Sequence, residues 1–268
     1  MSRPRPIVPL IIAGSDPSGG AGLQADVKVC LRFGLSAAAV PTAITVQSSA
    51  GVREVVPLEA ALVGRQLAAL LGDLRPAAVK IGLLGDAQIV RVVARSLLPL
   101  VRKRIPIVVD PVLRSGDGRR LLPKADVRVF VHQLVPLATL LTPNVAEAAE
   151  LAGVPESRVA SHTPEVLDAL LRTGAKAILL KGGHLGGSEA TDLLRLPDQT
   201  IAFSLPRVAG GRIHGAGCAL STAIAALLAQ GRSLEDACQQ AKEYVHAAIA
   251  GARHVGRGAR LLDFQARG

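Results

Sequence analysis

IVPLIIA followed by GSDPSGGAGLQAD, residues 7 to 26, is the stretch that decides the fold. Ile7–Ala13 is a short apolar run rich in branched residues, which is typical of a buried strand. Gly14–Gly20 reads as a turn of small residues, and Gly22–Phe33 has a helical pattern that Gly34 ends. A strand, a glycine-rich turn and a helix form the first half of a strand–helix–strand unit, so we expect a parallel sheet.

The same alternation continues along the chain. Further strands are predicted at Ala37–Val46, Val79–Leu83, Ile107–Val109, Leu140–Leu141 and Ala177–Leu180, with a hairpin formed by Thr191–Leu196 and Thr200–Leu205. Helices are predicted at Leu58–Leu71, Asp86–Leu98, Asn144–Ala152, Pro164–Arg172, Gly217–Ala229 and Ser233–Ala250. With no repeat or linker, residues 1–268 are predicted to form a single domain, a three-layer α/β/α sandwich around a mostly parallel sheet.

The composition excludes several classes of protein. A hydrophobic content of 49% is ample for a large core, and no apolar run approaches the ~20 residues of a membrane helix. The apolar stretch near the N-terminus ends at Asp16 and the glycines, too early for a signal peptide. Cys30, Cys218 and Cys238 have neither disulfide nor zinc spacing, so reduced thiols and a cytoplasmic protein without membrane contact are expected.

A formal charge of +10 raises the question of nucleic acid. With no Trp, one Tyr and four Phe the chain has few stacking platforms, and its arginines form no long basic tract. We therefore expect no nucleic-acid partner. The charge is interpreted as a compositional bias, or as a field that attracts anionic substrates such as ATP.

Polar residues collect directly after the predicted strands. In an open parallel sheet the ligand lies beyond the carboxyl ends of the strands, so these side chains are expected to share one cleft. They are Gly14-Ser15-Asp16, Gln47, Lys80-Ile81-Gly82, Asp110-Pro111, Thr142-Pro143-Asn144 and Lys181-Gly182-Gly183-His184.

Two familiar nucleotide motifs do not fit. Gly14 and Gly19 have the spacing of a Walker A loop, but Gly20 stands where its lysine is required. The GxGxxA pattern at Gly20–Ala25 lies several residues after its strand, and Gln47 ends the next strand where a dinucleotide site needs an acid. A P-loop enzyme is excluded and a dehydrogenase is disfavoured.

A third glycine segment, His214-Gly215-Ala216-Gly217-Cys218-Ala219-Leu220-Ser221, runs directly into a long helical pattern. Glycines allow successive backbone amides to point into one concavity, and the helix N-terminus adds a positive partial charge. This predicts an anion hole for a phosphoryl group. Taken alone, the segment is equally compatible with a glycine turn before a buried helix.

Together these segments resemble the hydroxymethylpyrimidine/phosphomethylpyrimidine kinases of thiamine biosynthesis, from about Val8 to Ala250. The resemblance is carried by the thirteen residues Gly14 to Asp26 and by Asp110-Pro111-Val112, Thr142-Pro143-Asn144 with Glu147, Lys181-Gly182-Gly183-His184 and His214-Gly215-Ala216-Gly217-Cys218. It implies a ribokinase-like fold, commonly a homodimer. It also implies that ATP and Mg²⁺ are used to phosphorylate 4-amino-5-hydroxymethyl-2-methylpyrimidine and then its monophosphate.

The resemblance further implies roles for single residues. Asp26 and Gln47 would read the polar edge of the aminopyrimidine, where a carboxylate and a carboxamide suit its donor and acceptors. The heterocycle would lie against Gly14, Leu83 and Val112.

The reacting end has its own implied set. Cys218 would be the catalytic base, its pKa lowered at the helix N-terminus, beside the amides of Gly215, Ala216 and Gly217. Asp110 and Glu147 would hold Mg²⁺, and ATP would contact Asn144, Lys181 and Lys242.

Some positions depart from the family pattern. Ile213 and Ala216 replace two threonines near the phosphates, and Leu83 stands where many members have Met. The main alternative is a pyridoxal kinase, but those enzymes typically have Met where this chain has Gln47. A non-catalytic homologue is a further alternative, disfavoured because the acids, the lysine and the thiol are all retained.

Overall fold

The computed structural model describes residues 6–182 and 187–266. Within them the strands are β1 Pro9–Ser15, β2 Ala38–Ser48, β3 Gly51–Pro57, β4 Ala78–Ile81, β5 Ile107–Val109, β6 Leu140–Leu141, β7 Ile178–Leu180, β8 Glu189–Arg195, β9 Thr200–Pro206, β10 Ile213–His214 and β11 Arg260–Leu261. The helices are α1 Gly22–Arg32, α2 Ala60–Asp73, α3 Ala87–Arg102, α4 Val127–Gln133, α5 Val145–Ala152, α6 Glu156–Ser161, α7 Thr163–Leu171, α8 Ala216–Ala229 and α9 Leu234–Ala250.

Nine strands form one sheet in the order β3-β2-β1-β4-β5-β6-β7-β8-β9. The six strands from β2 to β7 in this order are parallel, whereas β3 at one edge and the hairpin of β8 and β9 at the other are antiparallel. The predicted mostly parallel sheet and its hairpin are confirmed.

Strand β1 shows how the sheet separates two cores. Leu10 and Ile12 pack into the core shared with α2 to α7, while Ile11 and Ala13 face α1 and α8 on the other side. All four side chains are fully or almost fully buried, as the alternation of side chains in a central strand requires. With α9 packed on α8, the result is the predicted three-layer sandwich.

Several elements were absent from the prediction: β3, α4, α6 and the two-residue pair β10 and β11. Strand β3 is an edge strand whose Arg53 and Glu54 are exposed, so it lacks the apolar run that marks the central strands. The short helices span only two turns or fewer, which is too little for a clear periodic pattern.

The chain turns to opposite sides of β1, placing β2 on one side and β4 on the other. Loops after β1, β4, β5, β6 and β7 therefore open at one end of the sheet, where a ligand cleft is expected. Gly183 and His184, which follow β7, lie outside the described residues. In the described parts of the chain, no helix combines the length and apolar character needed to cross a membrane.

Candidate active site

Helix α8 begins at the predicted anion hole. Gly215 precedes it in the left-handed conformation, at φ +85°, and a Cβ there would collide with the carbonyl oxygen of Gly20. The first backbone amides of a helix have no partner within it, and in α8 no side chain caps them. Gly215, Ala216, Gly217 and Cys218 are partly exposed, so these amides can receive an anion.

Lys181, directly after β7, lies beside this hole. A Cβ on Gly217 would be 3.2 Å from Lys181 Nζ. The same ammonium is 2.7 Å from Asp110 Oδ1 and 3.9 Å from Glu147 Oε2. Burial disfavours its charge, but Asp110 and Glu147 outweigh burial and raise the pKa of Lys181. The predicted phosphate-binding lysine and the two predicted metal ligands therefore meet at one point.

Asp110 directly follows β5 and is almost fully buried. Its carboxylate accepts hydrogen bonds from Thr142 Oγ1 at 3.2 Å and Ser221 Oγ at 3.3 Å. The Ser221 hydroxyl also lies 3.0 Å from the carbonyl oxygen of Cys218, and because Ser221 belongs to α8, its contact ties Asp110 to the start of that helix. Burial opposes ionisation, but Lys181 and other cations hold the pKa of Asp110 below its ordinary value.

Glu147 forms a reciprocal cap with Asn144 at the start of α5. Asn144 Oδ1 accepts from Glu147 N, and Glu147 Oε2 accepts from Asn144 N, both at 2.9 Å. Burial, together with the nearby Asp110, raises the pKa of Glu147 to about 7. The side-chain oxygen of Asn144 is engaged by this cap, and its contact with ATP stays a prediction.

Cys218 is partly exposed, in contrast to the buried Cys30 and Cys238. Burial raises the pKa of its thiol to about 12, and Asp110 and Asp26 add to the rise. The prediction that the helix N-terminus lowers the pKa of Cys218 is therefore wrong for this state. Loss of solvation and two nearby carboxylates raise that pKa by more than the helix N-terminus lowers it. At neutral pH the thiol carries its proton.

Asp26 lies beneath the cleft with no exposed surface. One carboxylate oxygen accepts from Lys80 Nζ and the other from Thr222 Oγ1, each at 2.6 Å. Both oxygens are held by protein groups and the side chain has no exposed surface, so this arrangement favours an indirect role over the predicted direct contact with the heterocycle. The lysine at the end of β4 is neither exposed nor free. It is the fully buried partner of this acid.

The expected apolar walls come together. Leu83 and Val112 belong to one cluster with Ala43, Val52 and Leu121. A Cβ on Gly14 would lie 2.8 Å from Leu83 Cδ2, so the glycine is needed for this close approach.

Gln47 lies near the end of β2, beside this apolar cluster. It is the cross-strand partner of Val52 in β3. Its amide is 3.0 Å from His214 Nε2.

Lys242 lies away from the solvated helix face. It is buried on α9 and donates to Asp192 Oδ2 at 2.8 Å. Asp192 Oδ1 in turn accepts from Gly182 N at 2.8 Å, next to Lys181. Lys242 therefore forms an ion pair that supports the turn after β7, and its contact with a nucleotide stays a prediction.

The sequence did signal one missed partner. Lys80 interrupts the apolar strand AVKI, and a buried ammonium requires a counter-ion. His214 and Thr222 carried no such signal, because their partners are 167 to 198 residues away in the chain.

The chain is similar in sequence to proteins of one known family. Residues 16–263 match the family model described as phosphomethylpyrimidine kinase. The chain is 41% identical over 253 residues to a hydroxymethylpyrimidine/phosphomethylpyrimidine kinase of Rhizobium meliloti, covering 94% of each protein. A kinase of the same name from Aquifex aeolicus is 36% identical, with 96% of this chain and 100% of that protein covered.

Solved structures extend the similarity to the fold. A pyridoxal kinase from Staphylococcus aureus in complex with ADP superposes with a TM-score of 0.88 at 28% identity, covering 98% of this chain and 95% of that one. A phosphomethylpyrimidine kinase from Clostridium difficile gives a TM-score of 0.76 at 35% identity, covering 91% and 99%. The ribokinase-like expectation is confirmed, and the chain belongs to the phosphomethylpyrimidine kinase family.

Proposed function

We propose that this enzyme transfers the terminal phosphoryl group of ATP to 4-amino-5-hydroxymethyl-2-methylpyrimidine, and then phosphorylates the monophosphate, in thiamine biosynthesis. The observation that carries the proposal is the meeting of Lys181, Asp110 and Glu147 beside the uncapped N-terminus of α8. Phosphoryl transfer depends mostly on positioning and charge neutralisation, and this cluster supplies both.

The migrating phosphoryl group would be held by backbone amides of Gly215, Ala216 and Gly217. These amides lack helical partners and carry the positive end of the α8 dipole. The Lys181 ammonium beside Gly217 would contact the same phosphate oxygens. Because backbone groups do the binding, the missing threonine hydroxyls at Ile213 and Ala216 would lower the rate without abolishing the hole.

Asp110 and Glu147 would hold Mg²⁺. Kinases bind this ion through one or two carboxylates together with substrate phosphates, and here two carboxylates converge on a single cation. When bound, the ion neutralises charge on the phosphate oxygens. Glu147 would have to lose its proton for this role, and its pKa of about 7 allows that at physiological pH.

Cys218 would take the proton of the substrate hydroxymethyl group. Its thiol is protonated in the resting enzyme, so only the small thiolate fraction is competent as a base. A base contributes only about 10²–10⁴-fold to such reactions, so a weakly populated thiolate is compatible with turnover.

The heterocycle would lie between Gly14, Leu83 and Val112, with its polar edge against Gln47. The cluster of Leu83 and Val112 supplies apolar contacts, and the carboxamide supplies a donor and an acceptor. Asp26 would act below the pocket through Lys80 and Thr222, without contact to substrate.

A substrate-panel assay tests the proposal. The pyrimidine, its monophosphate and pyridoxal are each supplied with ATP, with and without Mg²⁺, and ADP formation and phosphorylated product are measured. We expect turnover of both pyrimidines and dependence on Mg²⁺. If neither pyrimidine were phosphorylated, the proposed function would be wrong, and turnover of no compound would favour a non-catalytic binding protein.

Pyridoxal phosphorylation is a second candidate activity. It is favoured by the similarity to pyridoxal kinases of Staphylococcus aureus at TM-scores up to 0.88. It is opposed by Gln47, whose carboxamide suits an aminopyrimidine. We expect kcat/KM for pyridoxal to be the lowest in the panel.

We further propose a homodimer working in the cytoplasm. Ile44, Val46 and Val56 form an exposed apolar strip on β2 and β3, with side chains 46%, 48% and 45% exposed. Ile44 and Val56 are cross-strand partners, so the strip is continuous. Sedimentation analysis tests the dimer, and Ile44→Glu should shift it to monomer. The three cysteines are free thiols, the state that a reducing compartment maintains.

A further inference from the structure

His214 connects three distant parts of the chain. Its Nε2 is 2.7 Å from Asp16 Oδ2, after β1, and 3.0 Å from the amide of Gln47 at the end of β2. The side chain is 21% exposed and that of Asp16 is 4% exposed, so the three groups meet largely out of water. His214 immediately precedes the anion hole, yet sequence reasoning assigned it no site role.

The surroundings of Asp16 fix the position of the imidazole hydrogen. The carboxylate accepts from Ser18 N, Ser18 Oγ and Ala21 N, each at 2.9 Å, so it acts as an acceptor only. Burial opposes its charge, but His214 and Ser18 hold the pKa of Asp16 below its ordinary value. The 2.7 Å contact therefore requires that His214 Nε2 carries a hydrogen and donates it to Asp16.

This assignment determines how the amide of Gln47 is oriented. A ring nitrogen that bears a hydrogen has no lone pair, so it cannot accept from an amide N–H₂ group. The structure places Gln47 Nε2 at this contact, but the two ends of a carboxamide are exchanged by a rotation and are decided by their partners. With the oxygen turned toward His214, the single Nε2–H is shared by Asp16 and Gln47 in a three-centre hydrogen bond. The nitrogen of Gln47 is then turned away from His214.

The free end of the amide is next to the apolar pocket. The register of β2 shifts between Val46 and Gln47, and after the shift Gln47 pairs with Val52 of β3. Val52 belongs to the cluster of Leu83 and Val112 described above. A donor turned away from His214 beside this cluster is available to a heterocycle in that pocket.

We propose that Asp16 and His214 are positioning residues that hold the Gln47 amide with its nitrogen toward the substrate, and so select a heterocycle with a ring-nitrogen acceptor. The inference rests on the proposed function and deepens it. Asp16 and His214 act through Gln47. His214 makes this contact in addition to any contribution of its backbone to the anion hole.

Binding of the pyrimidine without nucleotide separates this role from the anion hole. Calorimetry would measure the Kd for His214→Ala, Gln47→Ala and the double variant. We expect each single variant to bind about tenfold more weakly, as for loss of a buried hydrogen bond, and the double variant to match Gln47→Ala. His214→Gln should recover most of the affinity, because its amide can donate to Asp16 and Gln47. His246→Ala, a surface histidine that contacts Pro206 O, is the control and should not change the Kd.

Two results would overturn the inference. Unchanged binding in His214→Ala would show that Gln47 needs no support, and additive losses in the double variant would show that His214 acts independently of Gln47. Neither result would affect turnover of the pyrimidine by the wild-type enzyme, so the proposed function would stand. Wild-type protein that neither binds nor phosphorylates the pyrimidine would overturn both.

Discussion

Lys181 Nζ lies 2.7 Å from Asp110 Oδ1, so the lysine expected on ATP is held in the resting protein by an acid expected on Mg²⁺. The same ammonium faces Glu147 at 3.9 Å. Two buried carboxylates this close would repel each other, and Lys181 offsets that repulsion. Lys181 therefore neutralises part of the negative charge of these two acids before any ligand arrives.

The first prediction concerns the pH dependence of stability. Burial raises the pKa of Glu147 from 4.5 to about 7, so between these values the folded state binds more protons than the unfolded state. The favourable contribution of the protonated carboxyl is therefore lost as pH rises through this window, by roughly 1.4 kcal/mol per unit of pKa displacement. Glu147→Gln keeps the α5 cap but has no proton to lose. Its free energy of unfolding, measured relative to wild type, should therefore be higher at pH 8 than at pH 5.

Urea denaturation at both pH values measures this difference. Glu165→Gln, an exposed acid on α7, is the matched control and should show the same pH dependence as wild type. A Glu147→Gln variant whose stability relative to wild type did not change between pH 5 and pH 8 would contradict the raised pKa.

The second prediction concerns Cys218. With a thiol pKa of about 12, the thiolate fraction and hence the catalytic rate should rise with pH between 6.5 and 9. Cys218→Ala should lose about 10²–10³-fold in kcat with little change in pyrimidine Kd, because the base is removed and the pocket is kept. Cys218→Ser tests the role directly, since a hydroxyl is a weaker acid than the thiol. If the serine variant retained the wild-type rate, the residue would only orient the substrate.

Alkylation gives independent evidence on the same thiol. Iodoacetamide should modify one cysteine in the native protein, slowly at pH 7.5 and about tenfold faster per pH unit, because the thiolate is the nucleophile. Cys30 and Cys238 are buried and should react only after unfolding. Mass spectrometry of the tryptic peptides identifies the modified residue, and rapid labelling at pH 7 would contradict the raised pKa.

Much of the fold was predictable because its signals are local. The central strands are short apolar runs, and Ile107–Val109 and Leu140–Leu141 were predicted with the observed bounds. The edge strand β3 was not predicted because its exposed side carries charged residues, which interrupt the apolar pattern of a strand. The strands β10 and β11 were not predicted because each is too short to show a pattern.

The candidate site was predictable only at the level of which residues converge. The rule that ligands lie beyond strand ends predicted that Asp110 and Lys181 converge, as they do, whereas Glu147 was indicated only by the family resemblance. The rule could not say which partner each side chain takes. Asp26 was expected on substrate, and its pairing with Lys80 was not predicted, since ion pairing between distant segments depends on packing that periodicity does not describe.

The third prediction concerns that buried pair. Lys80 and Asp26 have no exposed surface, so removing one partner leaves an unpaired buried charge. Lys80→Met or Asp26→Asn should each lower the free energy of unfolding by about 3–5 kcal/mol. The double variant should be less destabilised than the sum of the single variants, since it leaves no unpaired charge.

Chemical denaturation measures the stability of these variants, and the ion pair of Asp168 and Arg195 provides a more exposed pair for comparison. Asp168→Asn removes the partner of Arg195, whose side chain is at the surface, and should cost at most about 1 kcal/mol. Strict additivity in the buried double variant would show that Lys80 and Asp26 do not depend on each other.

The fourth prediction concerns the effect of Lys242 on ATP binding. Its ammonium is held by Asp192, which also accepts from Gly182 N beside Lys181, so Lys242 should act on the nucleotide through this turn. Lys242→Met leaves Asp192 buried without its counter-ion and should raise KM for ATP severalfold while leaving the pyrimidine Kd unchanged. Lys176→Met, at an exposed position, is the control.

Asp192→Asn distinguishes support from direct contact with the nucleotide. If Lys242 acts through Asp192, removing the carboxylate charge should also raise KM for ATP, and the double variant should be no worse than Lys242→Met. If the ammonium instead binds the nucleotide itself, Asp192→Asn releases it and KM should fall or stay constant. Steady-state kinetics at saturating pyrimidine separate the two cases, because only ATP binding is then varied and each mechanism gives KM a different sign of change.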